Sequence, residues 1–292
     1  MRPAVGLLLD VDGPIASPVT RTIAIPSIVE DLVALVAAGV PIGFITGRSD
    51  AFLRAEVVAP LREAGLDEAL ARPGARMFAV AEKGAAWAPI TVGGLGALRL
   101  DATVAVPESA RAAVRALVAE RFGQWMFHDE TKRAMVSVEQ RTDVSSADYL
   151  AVQDAFQDTA FDVCVAHGMG LRYRDRERPD AAGLVPFRIE PTIISTDIES
   201  VLLDKDRGAE RALEYFATLG ELPETWRSAG DSRGDYLMAD YVHAAGLDVA
   251  HLDVRPAEGL LERPYPVHTA DGLVHDDAGA ALLRHWRERL GA

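Results

Sequence analysis

The sequence predicts an α/β protein: a Rossmann-like parallel-sheet core with an inserted α+β domain. Three observations carry this reading: short apolar runs that stop at polar residues, amphipathic helices between those runs, and a middle third with different patterning. The first run, Val5 with Leu7 to Leu9, lacks polar alternation, as expected of a strand covered on both faces of a parallel sheet. It ends at Asp10 and Asp12 in the stretch LLLDVDGPIAS. In open α/β sheets the carboxyl edge is where ligands gather, and residues i and i+2 of an extended chain point the same way. Two converging carboxylates repel, so they require a cation or a shared proton unless they merely face water in a turn.

The next elements repeat the pattern. PSIVEDLVALVAAG has helical spacing, with Ser27 as its cap and Gly39 as its stop. Val40 to Ile45 is a second apolar strand, ending in Thr46, Gly47 and Arg48. Strand, helix and strand form a right-handed parallel unit, which brings Thr46 near Asp10 if the two strands are neighbours. A hydroxyl, an unobstructed amide and a following helix suit an anion, although Thr, Gly and Ser also make ordinary turns. A further helix runs to about Gly65, and Met77 to Ala81 form a strand leading into EKGA at Glu82 to Ala85.

The patterning then changes. KRAMVSVEQ (132–140) and GLRYRDR (170–176) alternate as half-buried antiparallel strands do, interleaved with helices such as the one from Pro107 to Gly123. Residues 174–186 read as a mobile loop. The expected organisation is a core of residues 1–85 and 200–292 with an inserted α+β domain at 86–199. In the last third, Val201 to Leu203 reads as a strand or its end, before Lys205 and a helix from Gly208 to Gly220. Asp231 and Asp235 follow another apolar stretch, as metal ligands or as helix caps. LDVAHL is one more strand, and DDAGAALLRHWRERL closes the chain as a helix.

Composition narrows the function. The 292 residues carry a net charge of −14, with 49% apolar and 25% charged residues, which argues against nucleic-acid and anionic-membrane partners. The lone Cys164 excludes an intrachain disulfide and a thiolate metal site, and fits a reducing compartment, so the expected location is cytoplasmic. No stretch approaches the length of a membrane-spanning helix. Calcium loops fail at both acidic pairs. Counting from Asp10, the fifth and twelfth places hold Pro14 and Arg21; from Asp231, the third and twelfth hold Arg233 and Val242. Neither GxxxxGK nor GxGxxG after a strand is present.

Taken in order, DVDG, ITGR, a lysine before a helix and GDSRGD resemble the four motifs of the haloacid dehalogenase-like hydrolases. EKGA is similar to the ENGA that precedes the inserted cap in the subgroup of sucrose-phosphate, trehalose-phosphate and mannosylphosphoglycerate phosphatases. The resemblance implies a Mg²⁺-dependent phosphatase acting on a small phosphorylated metabolite, with a sugar phosphate expected. Asp10 would be the nucleophile, Asp12 the general acid and base, and Asp10, the Asp12 carbonyl, Asp231 and Asp235 the metal site. Thr46 and Gly47 would hold phosphoryl oxygens and Lys205 would neutralise charge. Lys205 is one of only three lysines, with Lys83 and Lys132; Arg207 is its rival for the role.

Three departures stand out: Pro14 in the first loop, no glycine directly after Lys205, and Gly234 at an asparagine position. Arg48, Lys132, Arg133, His128 and Arg188 are candidates for contacting the rest of the substrate. The alternatives are a phosphosugar mutase on the same core and a binding protein without turnover.

Overall fold

The structure, a computed structural model, describes residues 3–292. The chain divides into two compact units, one running through Arg99 and resuming at Asp204–Ala292, the other spanning Leu100–Leu203. The first unit contains, in chain order, β1 (Gly6–Leu9), α1 (Pro26–Ala37) and β2 (Ile42–Ile45). Next comes α2, made of the consecutive helical segments Asp50–Phe52, Leu53–Val58 and Ala59–Glu63, then α3 (Leu66–Leu70), β3 (Met77–Ala81), β4 (Ala86–Thr91) and β5 (Gly94–Leu95).

The second unit holds α4 (Glu108–Leu117), β6 (Met126–His128), β7 (Val136–Gln140), α5 (Ser146–Ala166), β8 (Leu171–Tyr173), β9 (Arg176–Arg178), β10 (Phe187–Pro191) and β11 (Ser195–Ser200). Its strands form one sheet in the order β9-β8-β10-β11-β7-β6, antiparallel except for the β8–β10 pair. Val136, Val138 and Ile198 pack with Val114, Tyr149 and Phe156 of the helices. The first unit resumes with α6 (Lys205–Leu219), β12 (Thr225–Gly230), α7 (Tyr236–Ala244), β13 (Asp248–Asp253), β14 (Val267–His268) and α8 (His275–Leu290).

The core sheet runs β14-β13-β12-β1-β2-β3-β4-β5, parallel from β14 to β3 and antiparallel beyond. Leu9 lies beside Phe44 on one side and Ala229 on the other. The residues that follow β1, β2 and β12 therefore leave the sheet side by side at its carboxyl edge. Strands β1, β2 and β3 are apolar throughout because both faces are covered. Leu7, Leu9 and Phe44 pack with Ile28, Leu32 and Leu283 from α1 and α8; Leu8, Ile45 and Trp226 pack with Leu213 and Phe216 of α6.

The structure differs from the sequence reading in four places. Residues 86–99 lie with the core unit, because β4 pairs antiparallel with β3 and its alternating pattern is that of a sheet margin. Helix α1 starts at Pro26 with no side-chain cap, so Ser27 lies inside it; proline's fixed φ suits a first turn. Val201–Leu203 are a turn after β11, and the following helix begins at Lys205 itself, capped by Asp204. The 174–186 loop contains β9, which forms a hairpin with β8. Among the described residues no helix is long and apolar enough to cross a membrane.

Pro14 finds its explanation in the loop after β1. The Ile15 and Ala16 amides donate to the Val11 carbonyl at 3.2 and 2.7 Å, and Gly13 donates to the Ala16 carbonyl at 2.9 Å. The turn closes without a donor at position 14. Helix α8 packs against it so closely that a Cβ on Gly279 would fall 1.7 Å from the Pro14 carbonyl oxygen. Gly279→Ala is expected to destabilise the protein by about 1–3 kcal/mol, read from chemical denaturation; an unchanged midpoint would contradict this packing.

Candidate active site

Asp10 follows β1, and its backbone amide donates to the Ala229 carbonyl at 2.9 Å, which fixes it beside β12. Its carboxylate accepts the Val11 amide at 2.7 Å and lies 2.6 Å from Lys205 Nζ. The same ammonium lies 2.7 Å from Asp235 Oδ1 and donates to the Ile45 carbonyl at 2.8 Å. A lysine has three donors, and all three are used. Of the two candidates Lys205 and Arg207, it is Lys205 that reaches Asp10 and Asp235. Arg207 lies instead against Gly84, where a Cβ would come 2.9 Å from its Cγ.

Asp235 is the anchor of the β12–α7 turn. Its Oδ2 accepts the amides of Asp231 and Ser232 at 3.1 and 2.9 Å and the Ser232 hydroxyl at 2.7 Å. With Oδ1 on Lys205, its oxygens are committed to holding the turn. Two glycines permit this closeness. A Cβ on Gly230 would fall 2.1 Å from Asp235 Cβ, and one on Gly13, which has φ +96°, would fall 2.8 Å from Asp231 Cβ. Carboxylate oxygens of Asp10, Asp231 and Asp235 lie within 4.8 Å of one another. The three carboxylates gather around a single ammonium, with the Arg255 charge acting on Asp231 as well, and hard oxygen donors are the set a divalent cation such as magnesium or calcium takes. This donor chemistry fits a cation, with Asp10 and Asp231 as the carboxylates facing it and Asp235 supporting them.

The charges perturb one another in the expected directions. Burial, then repulsion from Asp235, holds the Asp10 carboxyl well above the usual carboxylate range, although Lys205 opposes the shift. Burial and Asp235 push Asp231 up to about 6. For Asp235 burial works upward, but the Lys205 charge and the hydrogen bonds of Lys205 and Ser232 outweigh it and leave the carboxyl lowered. Lys205 is raised: burial opposes its charge, and its two carboxylates prevail.

On β2's side, Thr46 is buried and its hydroxyl accepts the Arg48 amide at 3.0 Å. Arg48 turns to Asp12. Its Nε lies 3.2 and 3.1 Å from the two carboxylate oxygens and its terminal nitrogen 2.9 Å from Oδ1, while the guanidinium stands 5.0 Å from the Phe52 ring centre. A two-point clamp of this kind fixes the orientation of Asp12 as a lysine could not. Sequence reasoning had no local signal for this pairing, since the partners are 36 residues apart.

The remaining candidates belong to the second unit. Arg188 lies 2.8 Å from Glu199 and 3.5 Å from Glu190, and it donates to the Leu203 carbonyl at 3.0 Å. Burial lowers the His128 imidazole, whose Nδ1 stands 3.2 Å from Glu130. The segment bearing Lys132 and Arg133 is held by the buried Arg111 guanidinium, which donates to the carbonyls of Lys132, Arg133 and Met135 at 3.4, 3.1 and 3.1 Å. Arg111 was not singled out by its sequence context.

The sequence matches no protein-family model and no curated protein. Solved structures do resemble it. The C-terminal domain of Candida albicans trehalose-6-phosphate phosphatase aligns over 98% of this chain and 92% of its own, at 12% identity and a TM-score of 0.62. A haloacid dehalogenase-like hydrolase from Bacteroides thetaiotaomicron aligns over 97% and 100%, at 12% identity and TM-score 0.53. A sugar phosphatase of haloacid dehalogenase subclass IIB aligns over 96% and 98%, at 16% identity and TM-score 0.53. The chain has the haloacid dehalogenase-like fold, with its parallel-sheet core and inserted module.

Two groups, partly buried Asp231 and buried His251, give opposite pH dependence. The Asp231 carboxyl, ordinarily near 3.8 and here about 6, keeps a proton the unfolded chain has lost, so stability falls as pH rises through that window. His251 is ordinarily near 6.5 and is held to about 4 by burial, so stability falls as pH drops through its window. Overall melting temperature is therefore a blunt readout, and cation affinity a sharp one. Protons compete with a divalent cation at Asp231, and affinity for such a cation is expected to weaken as pH falls through about 6. Titration calorimetry between pH 5 and 7.5 checks this; a flat profile would contradict the site.

Proposed function

We propose that this protein is a Mg²⁺-dependent phosphatase that hydrolyses the phosphate monoester of a small metabolite, a sugar phosphate, through an aspartyl phosphate on Asp10. The observation that carries the reading is the pairing of buried Asp10 with Lys205, with Asp12 two residues away and Asp231 and Asp235 beside it. Asp10 and Asp231, with the Asp12 carbonyl, would hold the metal, whose contribution is to neutralise phosphoryl charge.

In this reading an Asp10 carboxylate oxygen attacks phosphorus, the bond from phosphorus to the alcohol oxygen breaks, and Asp12 delivers a proton to that oxygen. A water then attacks phosphorus, Asp12 takes its proton, and the bond to Asp10 breaks to release inorganic phosphate. Dividing the hydrolysis in this way replaces one slow displacement by two assisted ones. The Thr46 hydroxyl and Gly47 amide would hold phosphoryl oxygens, and Lys205 would stabilise the charge that builds between phosphoryl group and nucleophile. Arg48 clamps the Asp12 carboxylate and would act as a positioning residue for it. The second unit would act as the cap that selects the alcohol, with Lys132 and Arg188 as its candidate contacts.

The test is inorganic phosphate release from sugar phosphates, phosphorylated acids, nucleoside monophosphates and p-nitrophenyl phosphate, with and without Mg²⁺. The expected result is Mg²⁺-dependent release that Asp10→Asn reduces by about a thousandfold or more. Absence of release from every substrate, with the protein folded and Mg²⁺ bound, would overturn the reading. Transfer of the phosphoryl group to a second sugar without free phosphate would identify a mutase.

A further inference from the structure

The connection from β3 to β4 has an unusual backbone. Glu82, Lys83 and Gly84 take φ values of +49°, +53° and +102°, three successive left-handed residues of which only the last is glycine. Side chains other than those of Gly, Asn and Asp rarely adopt this conformation, and such outliers persist only where the surroundings fix them. Here the surroundings are the turn after β2. The Lys83 amide donates to the Thr46 carbonyl and the Glu82 amide to the Arg48 carbonyl, each at 3.0 Å.

The two turns are laced on either side of Gly47, and the lysine side chain runs across it. A Cβ on Gly47 would stand 3.7 Å from Lys83 Cε. Behind the turn, Gly84 is pressed against Arg207, where a Cβ would come 2.9 Å from Cγ. Glu82 is buried, whereas Lys83 is only partly so. A turn with a purely connecting role would be served better by asparagine or glycine at position 83. Lysine contributes nothing to left-handed geometry; it contributes an ammonium, in a chain with 30 Lys and Arg residues of which just three are lysines.

We propose that Lys83 is a substrate-binding residue, its ammonium taking an anionic oxygen of the substrate beside the Thr46–Gly47 turn. The inference rests on the phosphatase reading and adds to it a core-borne cation that is distinct from Lys205, which is enclosed by Asp10, Asp235 and the Ile45 carbonyl. The anionic oxygen belongs either to the phosphoryl group itself or to a second acidic group on the same substrate. A compact ammonium suits a point contact with such an oxygen.

The experiment compares wild type with Lys83→Asn and Lys83→Arg. Asparagine tolerates the left-handed turn, so the melting temperature is expected to hold or rise. For Lys83→Asn, KM is expected to rise about tenfold with kcat within about threefold, and Lys83→Arg is expected to recover part of the loss. If the contact is to the phosphoryl group, p-nitrophenyl phosphate and the Kd of inorganic phosphate, measured by calorimetry with Mg²⁺, weaken together. If it is to a second acidic group, only phosphorylated acids and bisphosphates lose affinity. Either pattern supports the proposal. A Lys83→Asn protein with unchanged KM for all substrates and unchanged phosphate Kd would overturn it and leave Lys83 a turn residue. Failure of the wild type to release phosphate would instead overturn the phosphatase reading, and the phosphate Kd alone would then decide for or against Lys83.

Discussion

The ammonium of Lys205 is the interaction on which the rest of the site depends. It is buried between Asp10 and Asp235 and caps the last carbonyl of β2, so one side chain joins the ends of β1 and β2 to the β12–α7 turn. Without it two buried carboxylates would face one another with no compensating charge, an arrangement that costs several kcal/mol. Even with it the cluster remains short of positive charge, and burial together with the repulsion from Asp235 holds Asp10 and Asp231 above their usual range. The same deficit that burdens folding makes the site receptive to a divalent cation. Arginine could not replace the lysine without displacing one of its three acceptors, because its planar fork does not fit three convergent oxygens.

Close backbone approach is the second constraint. Gly13 and Gly230 let Asp231 and Asp235 sit against the first loop and against β12, and Gly208, one turn after Lys205, lets α6 lie where a Cβ would fall 2.2 Å from an Ile45 methyl. That approach carries the lysine to the end of β2. Gly208 also accounts for the missing glycine directly after Lys205: the close contact is made three residues later. Helix α8 closes the arrangement from the other face through Gly279 and Pro14. These contacts are with backbone or with short, fixed side chains, so none can relax by swinging a flexible terminus aside.

Much of this was legible in the sequence because parallel strands covered on both faces leave uninterrupted apolar runs, and their carboxyl ends are marked by where those runs stop. Leu7–Leu9 before Asp10 and Ile42–Ile45 before Thr46 show this directly. What was not legible depended on pairing across distance. The alternation of Ala86–Thr91 describes a half-covered strand but does not say which sheet it joins, and it joined the core. Lys205 was expected to follow a core strand, yet it opens α6 after β11 of the inserted unit. Arg48 follows the Thr46–Gly47 turn in sequence, so a substrate contact was the natural expectation, but its guanidinium pairs with the opposite charge of Asp12. The left-handed turn at Lys83 left no trace in composition, since lysine is a residue that such a turn does not select.

The central claim is that the Lys205-held carboxylate of Asp10 carries the phosphoryl group. It is tested most directly by quenching the enzyme during turnover of p-nitrophenyl phosphate, reducing it with labelled borohydride, and mapping the modified residue by peptide mass spectrometry. An acyl phosphate is reduced to the alcohol, so the label is expected at Asp10 and nowhere else. Label on Asp12 or Asp231, or no label in an enzyme that is turning over, would contradict the account.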